Sequence, residues 1–340
     1  MKIKCALVGL GNVNRNLLRI LNQKSQRLAN DYGVEFKIVL IADSSGVACN
    51  PDGYDRVSII SAKENGKHAA DLKGFMPGQT VAQALDRASC DLVFEASPVD
   101  LKTGGPGLEI SRAALSEGIS VVLANKGPVV LAYQELHQLA QANNAGLKYS
   151  ATVCGGLPIL NIATRDFIAG DILAFHGVFN ATSNFILDQM SQGIAYDKAL
   201  AEAQAHGVAE ADPSLDVEGW DTANKLLIIA NSILKANICL EDIKVTGITA
   251  ITPEYLTTEQ QKGNVIKLVA SAEDGRYSVS PEALPADDFL SRCQGWEMGI
   301  VMHTDIYGIN YFKLWERETI STAASMLRDA VHIFNTSRKP

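Results

Sequence analysis

The run Ile3-Lys4-Cys5-Ala6-Leu7-Val8-Gly9-Leu10-Gly11-Asn12-Val13-Asn14 decides the fold. Ile3 to Val8 is a compact apolar stretch with the length and composition of a buried strand. Two glycines follow, and then Val13, Leu17, Leu18, Ile20, Leu21 and Leu28 recur at helical spacing. A strand, a tight turn and a helix in this order form the opening of a dinucleotide-binding unit. Gly9 permits the turn, and Gly11 lets the backbone approach a pyrophosphate at the helix N-terminus beside Asn12 and Val13. The third position of the G-x-G-x-x-G fingerprint is Asn14, so the motif is incomplete. By itself it is equally an ordinary strand–helix turn.

The residues downstream extend the pattern. Phe36 to Ala42 is a second buried strand, ending at Asp43-Ser44-Ser45-Gly46. An acid at that strand end typically bonds the ribose hydroxyls of NAD; the serines suit the 2′-phosphate of NADP, and Asp43 as a turn cap is the plainer alternative. Asp91 to Ala96 is a further strand, breaking at Ser97-Pro98 beside the expected cofactor crevice. Ser120 to Ala124 is another, preceded by a helix around Ile110 to Glu117, and Lys148 to Thr152 is expected to close the sheet. Strands alternating with helices imply a parallel sheet with ligands at the carboxyl ends of its strands. Lys126, in Ala124-Asn125-Lys126-Gly127-Pro128, follows such a strand end; an exposed loop lysine is the plainer alternative, but the shaped turn and the neighbouring crevice favour one that points towards the cofactor. The polar, glycine-containing segment from about 50 to 80 reads as a surface excursion.

The 340 residues suffice for two domains, and the 47% apolar and 20% charged content is that of a globular protein. A net charge of −8 makes nucleic acid and anionic membranes poor partners. No apolar run approaches the ~20 residues of a membrane helix, and the N-terminus reads as a strand rather than a signal peptide. Cys5, Cys49, Cys90, Cys154, Cys239 and Cys293 form no C-x-x-C pair, and the six histidines show no ligand spacing. A reduced, cytoplasmic protein without structural zinc is expected. Cys154, in a glycine-rich turn, is either a thiol nucleophile or a small buried residue. Trp296 and the aromatics around Tyr311 read as core or dimer contacts.

The second half carries its chemistry between Glu210 and Lys225, E-A-D-P-S-L-D-V-E-G-W-D-T-A-N-K. If Asp221 opens a helix, Lys225 lies one turn further on the same face. A surface salt bridge is the common meaning of this spacing. Here Leu226 to Ala230 is apolar and anchors the helix in a core, which leaves the acids and the lysine where buried helix meets loop. Such a pocket suits an ammonium ligand and a moving proton.

Taken in order, G-L-G-N-V (9–13), A-N-K-G-P (124–128), A-T-V-C-G-G-L-P-I (151–159), G-V-F-N-A-T-S-N-F-I-L (177–187), the run 207–226 and T-D-I-Y-G (304–308) resemble the homoserine dehydrogenase family. The resemblance spans about residues 3 to 330 and leaves out the kinase and regulatory domains of longer members. It implies an α/β protein: a Rossmann-like parallel-sheet domain at 1–151, with a helix from 319 to 340 packing back on it, followed by an α+β catalytic and dimerisation domain at 152–318. It further implies NAD(P)-dependent interconversion of L-aspartate 4-semialdehyde and L-homoserine, a small amino-acid substrate, and a homodimer formed through the second domain's sheet. Lys225 would be the proton donor, and Lys126 would lie beside the nicotinamide and the reacting oxygen. Glu210 and Asp221 would hold the substrate with Asp216 in support, and Thr182, Gly155 and Gly156 would line its pocket. Backbone carbonyls of Ser150, Val153, Gly155 and Leu157 would hold a monovalent cation.

The chain departs from the family pattern at three places. Ser150 stands where a glutamate is usual, Asn180-Ala181-Thr182 replaces Asn-Gly-Thr, and Leu314-Trp315-Glu316-Arg317-Glu318 replaces a glycine-rich turn. A related dehydrogenase for another amino or hydroxy aldehyde, and a non-catalytic nucleotide-binding homologue, are the alternative readings.

Overall fold

Apolar strands alternating with amphipathic helices between residues 2 and 148 build a six-stranded sheet. The computed structural model describes residues 1–88, 90–205, 212–316 and 318–335, with the side chains of 86–88 left aside. The chain forms two compact units, Met1–Gly155 with Glu318–Pro340, and Gly156–Arg317.

In the first unit the strands are β1 (Lys2–Val8), β2 (Glu35–Asp43), β3 (Gly46–Cys49), β4 (Leu92–Glu95), β5 (Ser120–Leu123) and β6 (Leu147–Lys148), in the spatial order β3-β2-β1-β4-β5-β6. All neighbours run parallel except β2 and β3. The order reverses between β1 and β4, which opens a crevice at their carboxyl ends. The core joins Ile3, Leu7, Phe36, Ile38 and Phe94 of the sheet to Leu17, Leu18 and Leu21 of the helix Asn12–Gln23. Ala323, Met326, Leu327, Ala330 and Val331 belong to the same core, so the C-terminal helix Ile320–Asn335 is part of this unit.

Three details differ from the sequence expectations. The segment 50–80 contains the helix Arg56–Glu64, capped by Asp55 accepting from the Ser58 amide, and its Ile59 is buried against the core. A short hairpin adds β3 to the sheet edge. Residues 150–152 form a 3₁₀ turn rather than a strand, because the Ser150 amide donates to Asp329 Oδ2 at 2.8 Å and is lost to the ladder.

The second unit is built on a mostly antiparallel sheet. Its strands are β7 (Ile172–Val178), β8 (Ile243–Val245), β9 (Asn264–Glu273), β10 (Arg276–Pro285), β11 (Glu297–Thr304) and β12 (Ile309–Trp315), ordered β12-β11-β7-β9-β10-β8. The helices Ala181–Ser191 and Trp220–Ile229 are buried over most of their length. Lys267, fully enclosed on β9, donates to Asp188 Oδ1 at 2.7 Å and Asn184 Oδ1 at 2.8 Å, tying the first helix to the sheet. Trp296 stacks on Phe185 of that helix with ring centres 4.1 Å apart, so it is a core contact.

Candidate active site

At the head of the first unit, Gly9 leaves β1 with φ +81°, and a Cβ there would sit 2.5 Å from the Ala96 carbonyl oxygen. Only glycine lets β1 and β4 end this close together. Gly11 precedes the helix Asn12–Gln23, and a Cβ on it would meet nothing within 4 Å. The space above the helix N-terminus is therefore open, as a pyrophosphate requires. Asn14, at the place of the fingerprint's third glycine, is fully buried. Its amide donates to the carbonyls of Val8 at 3.0 Å and Gly9 at 2.8 Å, pinning the helix to the strand end. Arg15 donates to the Asn12 side chain and brings a guanidinium to the same helix end. Sequence reading missed Arg15; its signal was a cation one turn after Gly11.

Asp43 ends β2 in a turn, accepting from the Ser45 amide at 2.9 Å and hydroxyl at 2.6 Å. Its other oxygen lies 3.2 Å from the Ala69 amide and 3.4 Å from both Lys63 Nζ and His68 Nδ1. Burial pushes against ionisation, but the Ser45 and Ala69 donors and the Lys63 ammonium outweigh it and hold Asp43 below the usual carboxylate range. Asp43 thus caps its own loop, and Lys63 puts positive charge at this strand end.

Beyond β4, Ser97 donates its amide to Glu95 Oε1 at 2.9 Å. Asn125 reaches the Ser97 hydroxyl and the Pro98 carbonyl, each at 3.3 Å, while its own oxygen accepts from the Gly127 amide at 2.9 Å. Lys126 is half-buried on the turn these bonds brace, directly before the helix Gly127–Leu131. Glu95 is fully buried beneath it, and burial pushes its carboxyl up to about 7 against the downward pull of Ser97 and Asn125. The sequence offered Glu95 only as part of a strand.

The four residues expected around a cation fall in the next stretch of chain, 150–157. Ser150, Val153 and Gly155 belong to the first unit and Leu157 to the second. The Ser150 carbonyl accepts from the Val153 amide at 3.4 Å and the Gly155 carbonyl from the Ser325 hydroxyl at 2.8 Å. Leu157 accepts from the Ile159 amide at 2.9 Å. Arg328 donates to the Ser150 hydroxyl at 3.1 Å. Cys154 is buried, with φ +52°.

The second unit gathers the other candidates. Asn180 caps the helix Ala181–Ser191, its oxygen accepting from the Ser183 amide at 2.8 Å. Its amide nitrogen donates to Asp216 Oδ1 at 2.6 Å and Asp221 Oδ2 at 2.8 Å. Gly219, in the left-handed region, starts the helix Trp220–Ile229, so Asp221 falls in its first turn and Lys225 one turn on. Lys225 Nζ lies 2.7 Å from Asp221 Oδ2 and donates to the Phe179 carbonyl at 2.7 Å. The pair is not a surface bridge, since the side chains are 14% and 9% exposed. Thr182, buried in the first turn of its helix, bonds Asp216. Burial and then the Asp221 carboxylate push Asp216 up, against the opposing pull of Asn180, Lys225 and Thr182. Among the described residues, the carboxylates of Asp216 and Asp221 both lie beside the Lys225 ammonium. Gly156 donates its amide to Glu316 at 2.9 Å, so a carboxylate occupies the stretch where the family has its glycine-rich turn. Glu210 lies outside the described residues. Among the described residues, no group of three or more His, Cys, Asp or Glu side chains could hold a metal ion.

Comparison with known proteins finds relatives over the whole length of the chain. The family model described as homoserine dehydrogenase matches residues 158–331. A homoserine dehydrogenase of Methanocaldococcus jannaschii is 35% identical over 337 residues, covering 98% of this chain and 99% of the relative. An NAD(+)-dependent homoserine dehydrogenase of Pseudomonas canavaninivorans is 32% identical over 347 residues, covering 99% and 97%. A solved hyperthermophilic archaeal homoserine dehydrogenase mutant in complex with NADPH superposes with a TM-score of 0.85 at 28% identity, covering 100% of this chain and 99% of that one.

Proposed function

The chain belongs to the homoserine dehydrogenase family, and on that premise we propose that it interconverts L-homoserine and L-aspartate 4-semialdehyde as an NAD(P)-dependent oxidoreductase. The observation that carries the reading is the buried cluster in which Lys225, Asp221, Asp216, Asn180 and Thr182 meet. Its carboxylates suit a substrate bearing an ammonium group, and its lysine suits a substrate whose oxygen takes up a proton.

When bound, the coenzyme would supply a hydride for the aldehyde carbon. As the carbonyl oxygen gains charge, the Lys225 ammonium stabilises it and gives up a proton to it. In the oxidative direction, neutral Lys225 takes the hydroxyl proton. Glu210 and Asp221 hold the substrate's amino and hydroxyl ends with Asp216 in support, Asp221 also keeps Lys225 in place, and Thr182, Gly155 and Gly156 line the pocket. Lys126, braced by Asn125, serves as the second ammonium of the reaction from the coenzyme-binding unit. Gly9, Gly11, Asn12, Val13 and Ser97 receive the coenzyme. Asp43 stands at its adenosine end, where the acid suits the ribose hydroxyls of NAD and the Lys63 ammonium suits the 2′-phosphate of NADP. The first unit is then the dinucleotide-binding domain and the second the substrate-binding and dimerisation domain. Ile309, Tyr311 and Trp315, 52%, 53% and 62% exposed on one face of the edge strand β12, support a homodimer through that sheet. Six free thiols support a cytoplasmic setting.

The test is NADH or NADPH absorbance with homoserine as substrate, comparing initial rates with each coenzyme. Failure to oxidise homoserine, alongside turnover of a different alcohol, rejects the assignment. Lys225→Ala is expected to lower kcat by roughly 10²- to 10⁴-fold while leaving coenzyme affinity, read by NAD(P)H fluorescence, unchanged.

A further inference from the structure

The C-terminal helix Ile320–Asn335 presents Ser325, Arg328 and Asp329, three and four residues apart, along one side. All three reach the segment 150–155. Ser325 donates its hydroxyl to the Gly155 carbonyl at 2.8 Å, and Asp329, fully buried, accepts the Ser150 amide at 2.8 Å. Arg328 Nη2 lies 3.1 Å from both the Ser150 and Ser325 hydroxyls. Ser150 and Ser325 are themselves 3% and 1% exposed, so the guanidinium is held on buried partners. The segment needs such a clamp. It turns through a 3₁₀ turn and then places Cys154 and Gly155 in the left-handed region, at φ +52° and +51°. A conformation of this kind persists only when its surroundings over-determine it.

This is the segment on which the family resemblance puts Ser150, Val153 and Gly155 around a monovalent cation. The residues present do not fit one. The usual glutamate is a serine, which removes a negative charge. The hydroxyl left there accepts from a side chain that is permanently cationic. Asp329 is already engaged on the amide of the same residue, Ser150, whose hydroxyl takes the guanidinium. An added cation would face like-charge repulsion in a largely dry environment, where such interactions are strong.

We propose that Arg328 is a built-in replacement for the monovalent cation: held on Ser150 and Ser325, it fixes the 150–155 segment, and the protein neither binds nor needs the ion. The role is a positioning one. The proposal uses the family assignment only to say where an ion would sit. Its readout, thermal melting without substrate, stands whether or not homoserine is turned over.

The experiment compares melting midpoints of the full chain in sodium, potassium and tetramethylammonium chloride at equal ionic strength. The parent protein is expected to melt at one temperature in all three. Arg328→Ala is expected to melt lower in tetramethylammonium and to recover saturably with sodium or potassium, a response that general loss of packing would not produce. Arg328→Gln, which keeps a donor for Ser150 without the charge, serves the same purpose if the alanine variant does not fold. A saturable rise in the parent's midpoint with sodium or potassium overturns the proposal. So does a folded Arg328 variant no more responsive to these ions than the parent.

Discussion

Glu95 shows how much one enclosed carboxyl can do. It sits at the end of β4 with its Oε1 on the Ser97 amide, under the turn that Asn125 braces. Its raised value, about 7 against 4.5 for an ordinary glutamate, means that the fold keeps the proton where the unfolded chain has lost it. The stability linked to Glu95 is therefore complete below about pH 4.5 and falls as the pH rises to about 7. That shift corresponds to about 3 kcal/mol. Glu95→Gln is expected to flatten this dependence: its urea midpoint should overtake the parent's as the pH rises through that window, and parallel curves would refute the assignment. Asn14 makes a related point. A third glycine would serve close packing, but the asparagine does so by bonding two strand-end carbonyls directly.

At the scale of elements, Asn180 links the helix Ala181–Ser191 to the helix Trp220–Ile229. Asn180 caps the first with its oxygen and holds Asp216 and Asp221, before and on the second, with its nitrogen. Asn180→Ala is expected to cost about 1 kcal/mol from the lost cap. It should also raise Asp216 further by removing one of the groups that pull it down. The melting midpoint and the KM for homoserine test both parts; an unchanged KM would show that the acids do not depend on this amide. The Tyr149–Thr152 stretch illustrates the converse case. Its sequence suits a strand, yet β6 stops at Lys148 because the next amide but one is taken by a carboxylate from a helix almost 180 residues later.

At the scale of the whole molecule, one chain carries two units of different construction, a parallel sheet with a dinucleotide crevice and an antiparallel sheet with a buried acid–lysine cluster. The exposed apolar face of β12 is where a second copy is expected. Replacing Tyr311 and Trp315 together by lysine should shift the protein from dimer towards monomer in sedimentation equilibrium, without moving the Lys225 cluster. A parent that sediments as a monomer, or a double variant that stays dimeric, counts against that interface.

The sequence by itself determined the strand–turn–helix at Gly9 and Gly11, the alternation that makes the first sheet parallel, and the one-turn spacing of Asp221 and Lys225. Each depends on neighbours a few residues apart, and local periodicity carries that information. Only the tertiary structure decided that Asn180 joins the acids, that Glu95 lies under the Lys126 turn, that Asp43 faces Lys63 and His68, and that Arg328 meets Ser150. Those contacts link residues 20 to almost 180 positions apart. Their burial and charge balance arise from packing between elements, which no local pattern encodes.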